Sequence, residues 1–159
     1  MDENYSKLNC DNDFSLDLLD TILDEAAKFS ENELAPLYQS GDEEGCVLED
    51  GVVTTPKGFK EAYSKFIESG WTSLTGDVEL GGQGLPSSVS LVVNEMLTTA
   101  NWAWAMYPGL SEGAVATLES HGTDAQKNDY LPRLIDGRWS GTMCLTCLLY
   151  TSPSPRDGW

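Results

Sequence analysis

Apolar residues recur at spacings of three and four through most of the chain. Leu16, Leu19, Ile22, Leu23, Ala26 and Phe29 share one helical face, and Asp17, Asp20, Asp24 and Lys28 share the other. That pattern predicts an amphipathic helix, capped by Asp13 or Ser15. It runs to about Leu34 and stops near Pro36, because the residue before a proline disfavours helix. Phe59, Ala62, Tyr63, Phe66 and Ile67 form a second stripe. Thr55-Pro56 suits the start of that helix, with proline at the first helical position, and Gly70 suits its end. A third stretch opens at Pro86-Ser87 and carries Val89, Val92, Val93, Met96, Leu97 and Ala100. It reaches about Tyr107, where Pro108-Gly109 breaks it. Ser111 to Ser120 predicts a fourth helix, closed by His121-Gly122. Thr123-Asp124-Ala125-Gln126 fits a capping box and opens a fifth, with Tyr130, Leu131, Leu134 and Ile135. Pro132 should kink or split this last helix, and Gly137 ends it.

The segments between are polar or glycine-rich. Residues 1–12 are polar and expected to fray. Residues 40–56 read as a connector, in which Val47-Leu48 and Val52-Val53 flank Asp50-Gly51 as a small hairpin would. Trp71 to Pro86 reads as irregular. No internal repeat is found. The expectation is an all-α fold of about five helices, with residues 14–136 mostly helical and a strand only at 140–146.

A chain of 159 residues suits about one domain and can bury a core. The charge is the feature that excludes functions. Nine basic residues against 26 acidic ones give a net charge of -17, a surface that repels phosphate backbones and anionic lipid. The expected partners therefore include no nucleic acid and no membrane, and contact with an anionic CoA ester would need local basic residues. No apolar run approaches the roughly 18 to 20 residues that span a bilayer. Met1-Asp2-Glu3-Asn4 lacks the basic start of a signal peptide, so a cytoplasmic location is expected. Cys144 and Cys147 have Cys-x-x-Cys spacing, but without a second pair and with one histidine in the chain they make a poor zinc site.

Each candidate chemistry has a plainer reading beside it. Glu79-Leu80-Gly81-Gly82-Gln83-Gly84-Leu85-Pro86 resembles a phosphate loop before a helix, yet it has neither the Walker lysine nor Gly-x-Gly-x-x-Gly spacing. A structural turn is the favoured reading. His121 could be a base, but beside a glycine stop it reads as a capping group. Asp42-Glu43-Glu44 lacks EF-hand spacing and reads as a solvated charge run. Trp102, Trp104 and Tyr107 crowd the end of the third predicted helix, where core packing is the default and an apolar ligand pocket the alternative. Glu95 and Asp129 have no partner of known geometry, and no Ser-His-Asp order exists. Residue patterns alone thus give an acidic helical domain without a complete catalytic set.

Several segments, taken in order, resemble acyl-CoA dehydrogenases. They are Gly70-Trp71, Gly81 to Pro86, His121 to Lys127, Tyr130-Leu131-Pro132-x-Leu134 and Gly137-x-Trp139-x-Gly141-Thr142-Met143-Cys144-Leu145-Thr146. Each motif is weak alone, and the ordered set is strong. A sharper resemblance is to the 3-methylmercaptopropionyl-CoA dehydrogenase subgroup. It is carried by Glu33 to Leu37, Gly41 to Cys46, Asp50 to Lys60 and Ala105-Met106-Tyr107-Pro108-Gly109-Leu110. In the family the strand continues after the threonine as Glu-Pro-x-Ala-Gly-Ser-Asp or a close variant. Here Cys147 to Asp157 instead matches one reading frame of a sequencing-library transposon adapter, in which TGT-CTC-TTA-TAC-ACA-TCT spells Cys-Leu-Leu-Tyr-Thr-Ser. Residues 147–159 are therefore expected to be an artefactual tail.

The resemblance implies an N-terminal extension over 1–40, an N-terminal helical domain over 41–139 and the first strand of a truncated middle β-domain over 140–146. It implies FAD as cofactor, with Met143, Cys144, Leu145 and Thr146 at the flavin and the threonine hydroxyl near its reactive nitrogen. It places Trp104 and Tyr107 near the acyl chain. The implied partners are an acyl-CoA substrate and electron-transfer flavoprotein or a similar acceptor, with a homo-oligomer when full length. The catalytic glutamate of the family lies beyond Thr146, so this piece is expected to be inactive alone. The rival class is a non-catalytic helical interaction module.

Overall fold

The computed structural model of the chain describes residues 15–142. The described residues form six helices, α1 (Leu16–Phe29), α2 (Leu37–Glu44), α3 (Phe59–Glu68), α4 (Ser87–Ala100), α5 (Trp102–His121) and α6 (Asp124–Ile135), and one small exposed hairpin, β1 (Val47–Glu49) with β2 (Val52–Thr54). The expected all-α class stands, with different boundaries.

Ser15 caps α1, its Oγ accepting the Leu18 amide at 3.2 Å. The helix passes without a break into a π turn, Ser30–Leu34, closed by the Ala35 amide on the Ser30 carbonyl at 2.9 Å. The helical run thus ends at Leu34, as expected, and Pro36 then opens a further helix, α2. Its ring fixes a helix-compatible φ, and a first-turn residue has no amide bond to lose. Residues 40–44, expected in a connector, are therefore helical. Gly41 lies inside α2 because the Phe59 ring packs on its backbone, and a Cβ there would come within 2.6 Å of two ring carbons. That glycine serves close packing, not a turn.

The hairpin forms as expected. Asp50 (φ 50°) and Gly51 (φ 79°) make its two-residue turn, and Leu48 pairs with Val53 and Glu49 with Val52. α3 begins at Phe59, three residues later than Thr55-Pro56 suggested, because Lys57-Gly58 makes a turn closed by the Phe59 amide on the Pro56 carbonyl at 3.2 Å. Gly70, at φ 78°, follows its end.

The largest correction concerns the second half. The break between α4 and α5 falls at Asn101, and α5 runs through Pro108-Gly109 as one helix. Asn101 is 1% exposed. Its Oδ1 accepts the Trp104 amide at 3.0 Å and its Nδ2 donates to the Leu34 carbonyl at 3.3 Å. This buried side chain caps α5 and ties it to the π turn. Asparagine is a strong cap, and here it outweighs the helix-breaking tendency of one proline. Trp102, Trp104 and Tyr107 consequently begin α5 and do not end α4. In α6 the capping box is present, with Thr123 and Gln126 bonded both ways, and Pro132 does not split the helix. The chain at 140–142 is not in a strand. The remainder of the expected strand, 143–146, and the expected tail, 147–159, lie outside the described residues.

The core gathers on Trp104, which is fully buried. Its ring meets Phe66 at 5.3 Å, Phe29 at 6.1 Å and Tyr63 at 6.3 Å between centroids. Its indole N–H donates to the Phe59 carbonyl at 3.1 Å. Leu34, Val93 and Leu97 complete this centre from the π turn and α4. Among the described residues, no helix is long and apolar enough to cross a membrane.

Candidate functional site

After α6 the chain is pinned back onto the helices. The Trp139 amide donates to the Arg133 carbonyl at 2.9 Å, and the Arg133 guanidinium stands over the Trp139 ring at 4.6 Å. Two residues on, the Gly141 amide donates to the Ser111 Oγ at 3.0 Å. Gly141 lies so close to α5 that a Cβ would come within 2.6 Å of the Ala114 Cβ. Thr142 is exposed. The segment 139–141 is thus held against α5, with Thr142 at the surface.

At Ser111 lies a cavity of about 320 Å³ between α3, the 71–76 segment, α4, α5 and α6, lined also by Trp71, Asn94, Glu112 and Glu119 among others. The Asn94 amide donates to both Glu112 oxygens, at 3.2 and 3.1 Å. Burial against protein pushes the Glu112 carboxyl above its ordinary pKa, and the Asn94 bond opposes that rise. Glu119 is raised too, by burial and then by Asp77, with Lys127 opposing. A carboxyl with a raised folded pKa holds its proton more tightly when folded. Its stability contribution is complete below the unfolded pKa and declines as pH rises towards the folded value. Glu112→Gln is therefore expected to flatten that decline. The variant should match the parent below about pH 4 and equal or exceed it in urea midpoint at neutral pH. A neutral-pH loss as large as any acid-pH loss would contradict this.

The glycine-rich segment is a structural turn. The amides of Gly82, Gln83, Gly84 and Leu85 donate to Asp77, Ser73, Gly76 and Leu74 carbonyls at 2.8, 2.8, 3.0 and 2.8 Å. Gln83 also reaches the Gly70 carbonyl at 2.8 Å. With these four amides satisfied internally, the segment offers no phosphate cradle. Asp42, Glu43 and Glu44 are exposed at the end of α2, where Glu44 accepts the Lys57 amide at 2.9 Å. His121 is the last residue of α5.

Of the expected ligand contacts, Met143, Cys144, Leu145 and Thr146 lie outside the described residues. Trp104 sits in the core behind the cavity wall. Tyr107 is 40% exposed, on the side of α5 that meets the hairpin root. Its hydroxyl lies 3.8 Å from the Cys46 sulfur, its ring meets Phe59 edge-on at 6.4 Å, and burial followed by the Cys46 contact raises its pKa. The structure does not bring Trp104 and Tyr107 together at one surface. Sequence reasoning missed Ser111, Asn94 and Asn101. Only Asn101 left a signal, as an Asx residue three positions before Trp104.

Comparison with known proteins supplies the family. Residues 18–138 match the acyl-CoA dehydrogenase N-terminal domain. The chain is 43% identical over 134 residues to 3-methylmercaptopropionyl-CoA dehydrogenase of Ruegeria pomeroyi, covering 84% of this chain and 23% of that protein. It superposes on butyryl-CoA dehydrogenase of Megasphaera elsdenii with a TM-score of 0.62 at 23% identity, over 80% of this chain and 32% of that one. An acyl-CoA dehydrogenase of Bacillus anthracis complexed with FAD matches with a TM-score of 0.62 at 22% identity, over 80% of this chain and 20% of that one. The chain therefore spans about a quarter of the length of the curated relative. It belongs to the acyl-CoA dehydrogenase family, and its helices form that family's N-terminal domain.

Proposed function

We propose that this chain is the N-terminal part of an FAD-dependent dehydrogenase that introduces an α,β double bond into an acyl-CoA thioester, with 3-methylmercaptopropionyl-CoA the first substrate to try. The single observation that carries this is the 43% identity to an enzyme of that name across 84% of the chain. The match of residues 18–138 to the acyl-CoA dehydrogenase N-terminal domain supports it. On this reading residues 1–40 are an extension, 41–139 the helical domain, 140–146 the start of a β-domain and 147–159 an artefactual tail.

Met143, Cys144, Leu145 and Thr146 then line the flavin, with the Thr146 hydroxyl bonded to the ring. Bound there, FAD supplies the acceptor for the two electrons removed from the acyl group. Tyr107 contributes an exposed ring edge at the acyl-chain end. Trp104, in the core, holds the first turn of α5 in place through its indole bond to the Phe59 carbonyl. The same reading takes electron-transfer flavoprotein or a similar acceptor as partner, a homo-oligomer as the assembly and the cytoplasm as the location. The catalytic base lies on the part of the polypeptide beyond this chain, so the chain alone is inactive.

The test is a full-length clone. Genomic DNA should continue as Glu-Pro after Thr146, and the purified protein should be yellow. Thr146→Ala in that protein should lower flavin content or slow its reduction, because one hydrogen bond to the ring is lost. Unchanged flavin content and unchanged reduction would remove Thr146 from the site. The chain as it stands should purify colourless, because a fraction of a cofactor site rarely offsets the loss of rotational and translational freedom on binding.

A further inference from the structure

Every residue of β1 and β2 is exposed, Leu48 to 69%, Val52 to 65% and Val53 to 61%. A two-stranded hairpin alone in water is marginally stable at best, and an apolar strand edge left open is a template for another strand. The register decides what each edge offers. Glu49 pairs with Val52 across the Asp50-Gly51 turn, and Leu48 pairs with Val53. In a two-residue hairpin the pair that closes the turn exchanges both backbone hydrogen bonds, and bonded and non-bonded pairs alternate from there. Val53 therefore turns its N–H and C=O away from β1, and Leu48 turns its own away from β2.

The two outer edges differ in charge. Glu49 and Asp50 follow Leu48 directly, so the β1 edge carries carboxylates that guard it against pairing. Around Val53 the run 51–55 is Gly-Val-Val-Thr-Thr, uncharged and rich in strand formers. Asp50 stands at one end of that run and Lys57 just past the other. Both are exposed, and neither makes an ion pair among the described residues. Antiparallel pairing with an identical strand brings the Asp50 end of each beside the Lys57 end of the other. We propose that β2 pairs edge to edge with β2 of a second copy of this chain, about a two-fold axis at Val53. Val53 then exchanges both backbone hydrogen bonds with its own counterpart, and Val52 faces Thr54. Such a contact uses the same patch on both copies and closes on itself. A pairing this short buries too little to hold two chains alone, so it adds to an assembly of full-length chains. The inference gives an interface to the homo-oligomer of the proposed function and rests on that reading.

The test is oxidative cross-linking of the full-length protein carrying Val53→Cys, with the joined peptides identified by mass spectrometry. Each chain has one position 53, so a link from 53 to 53 joins two copies. Directly paired strand positions stand at disulfide distance, and more than about half of the protein should link there. Val52→Cys and Thr54→Cys chains, expressed together, should link 52 to 54, which fixes the register. Leu48→Cys, on the guarded edge, should link to itself at least about tenfold less. All four positions are exposed, so these substitutions leave the core untouched. Absence of the 53-to-53 link, or an equally abundant link at 48, would overturn the proposal. Light scattering on the same protein separates the two failures. An oligomer without the link sinks only this interface, whereas a monomer sinks the homo-oligomer as well.

Discussion

Trp104→Ala is expected to destabilise the fold by about 3–5 kcal/mol, the range for removing a buried aromatic side chain. The ring is fully buried among Phe29, Tyr63 and Phe66, so the surrounding wall cannot close without moving three aromatics. The substitution also leaves the Phe59 carbonyl without its indole donor, adding roughly 1 kcal/mol. Domains have total stabilities of about 5–15 kcal/mol, so the variant should unfold at much lower urea or not accumulate. Trp102→Ala is the control. That residue is 63% exposed two positions earlier on the same helix and should shift stability by no more than about 0.5 kcal/mol. Equal effects of the two substitutions would mean that the core is not centred where the structure puts it.

Gly82→Ala is expected to have the next largest effect, about 3 kcal/mol, at the upper end of what overpacking costs. A Cβ at Gly82 would collide with the Gly76 backbone, carbonyl and Cα included. No side-chain rotation relieves a clash of backbone against backbone. The four loop amides that bond across this crossing would be displaced with it. Gly81→Ala provides the comparison. Gly81 has φ +93° and open space around it, so alanine there meets only the strain of left-handed backbone, about 1 kcal/mol. The order of the two urea midpoints decides the point. Gly81→Ala proving the more harmful would contradict the packed-crossing account.

Much of the fold was legible because its elements announce themselves locally. The α1 stripe, the Asp50-Gly51 turn, the Thr123–Gln126 capping box and the Gly70 and Gly137 stops depend on residues a few positions apart. The misplaced boundaries depend on distant partners. Asn101 ends α4 because its side chain reaches Leu34, 67 positions away, and the local mark of the break is that one Asx residue. Gly41 is helical because Phe59 lies on it. Pro36 opens a helix that its neighbours gave no reason to expect. The candidate site divides the same way. The family was recognisable as an ordered set of motifs. Ser111 and Asn94 were not, because a serine and an asparagine inside helices carry no signal until Gly141 and Glu112 are folded against them.

The most direct test of the account is the visible spectrum of the full-length protein before and after anaerobic addition of an acyl-CoA thioester, starting with 3-methylmercaptopropionyl-CoA. If the chain is the N-terminal part of such a dehydrogenase, the protein is yellow as purified, and substrate bleaches its flavin band. A folded full-length protein that is colourless and gains no band with added FAD, or a yellow one that no acyl-CoA thioester bleaches, would contradict it.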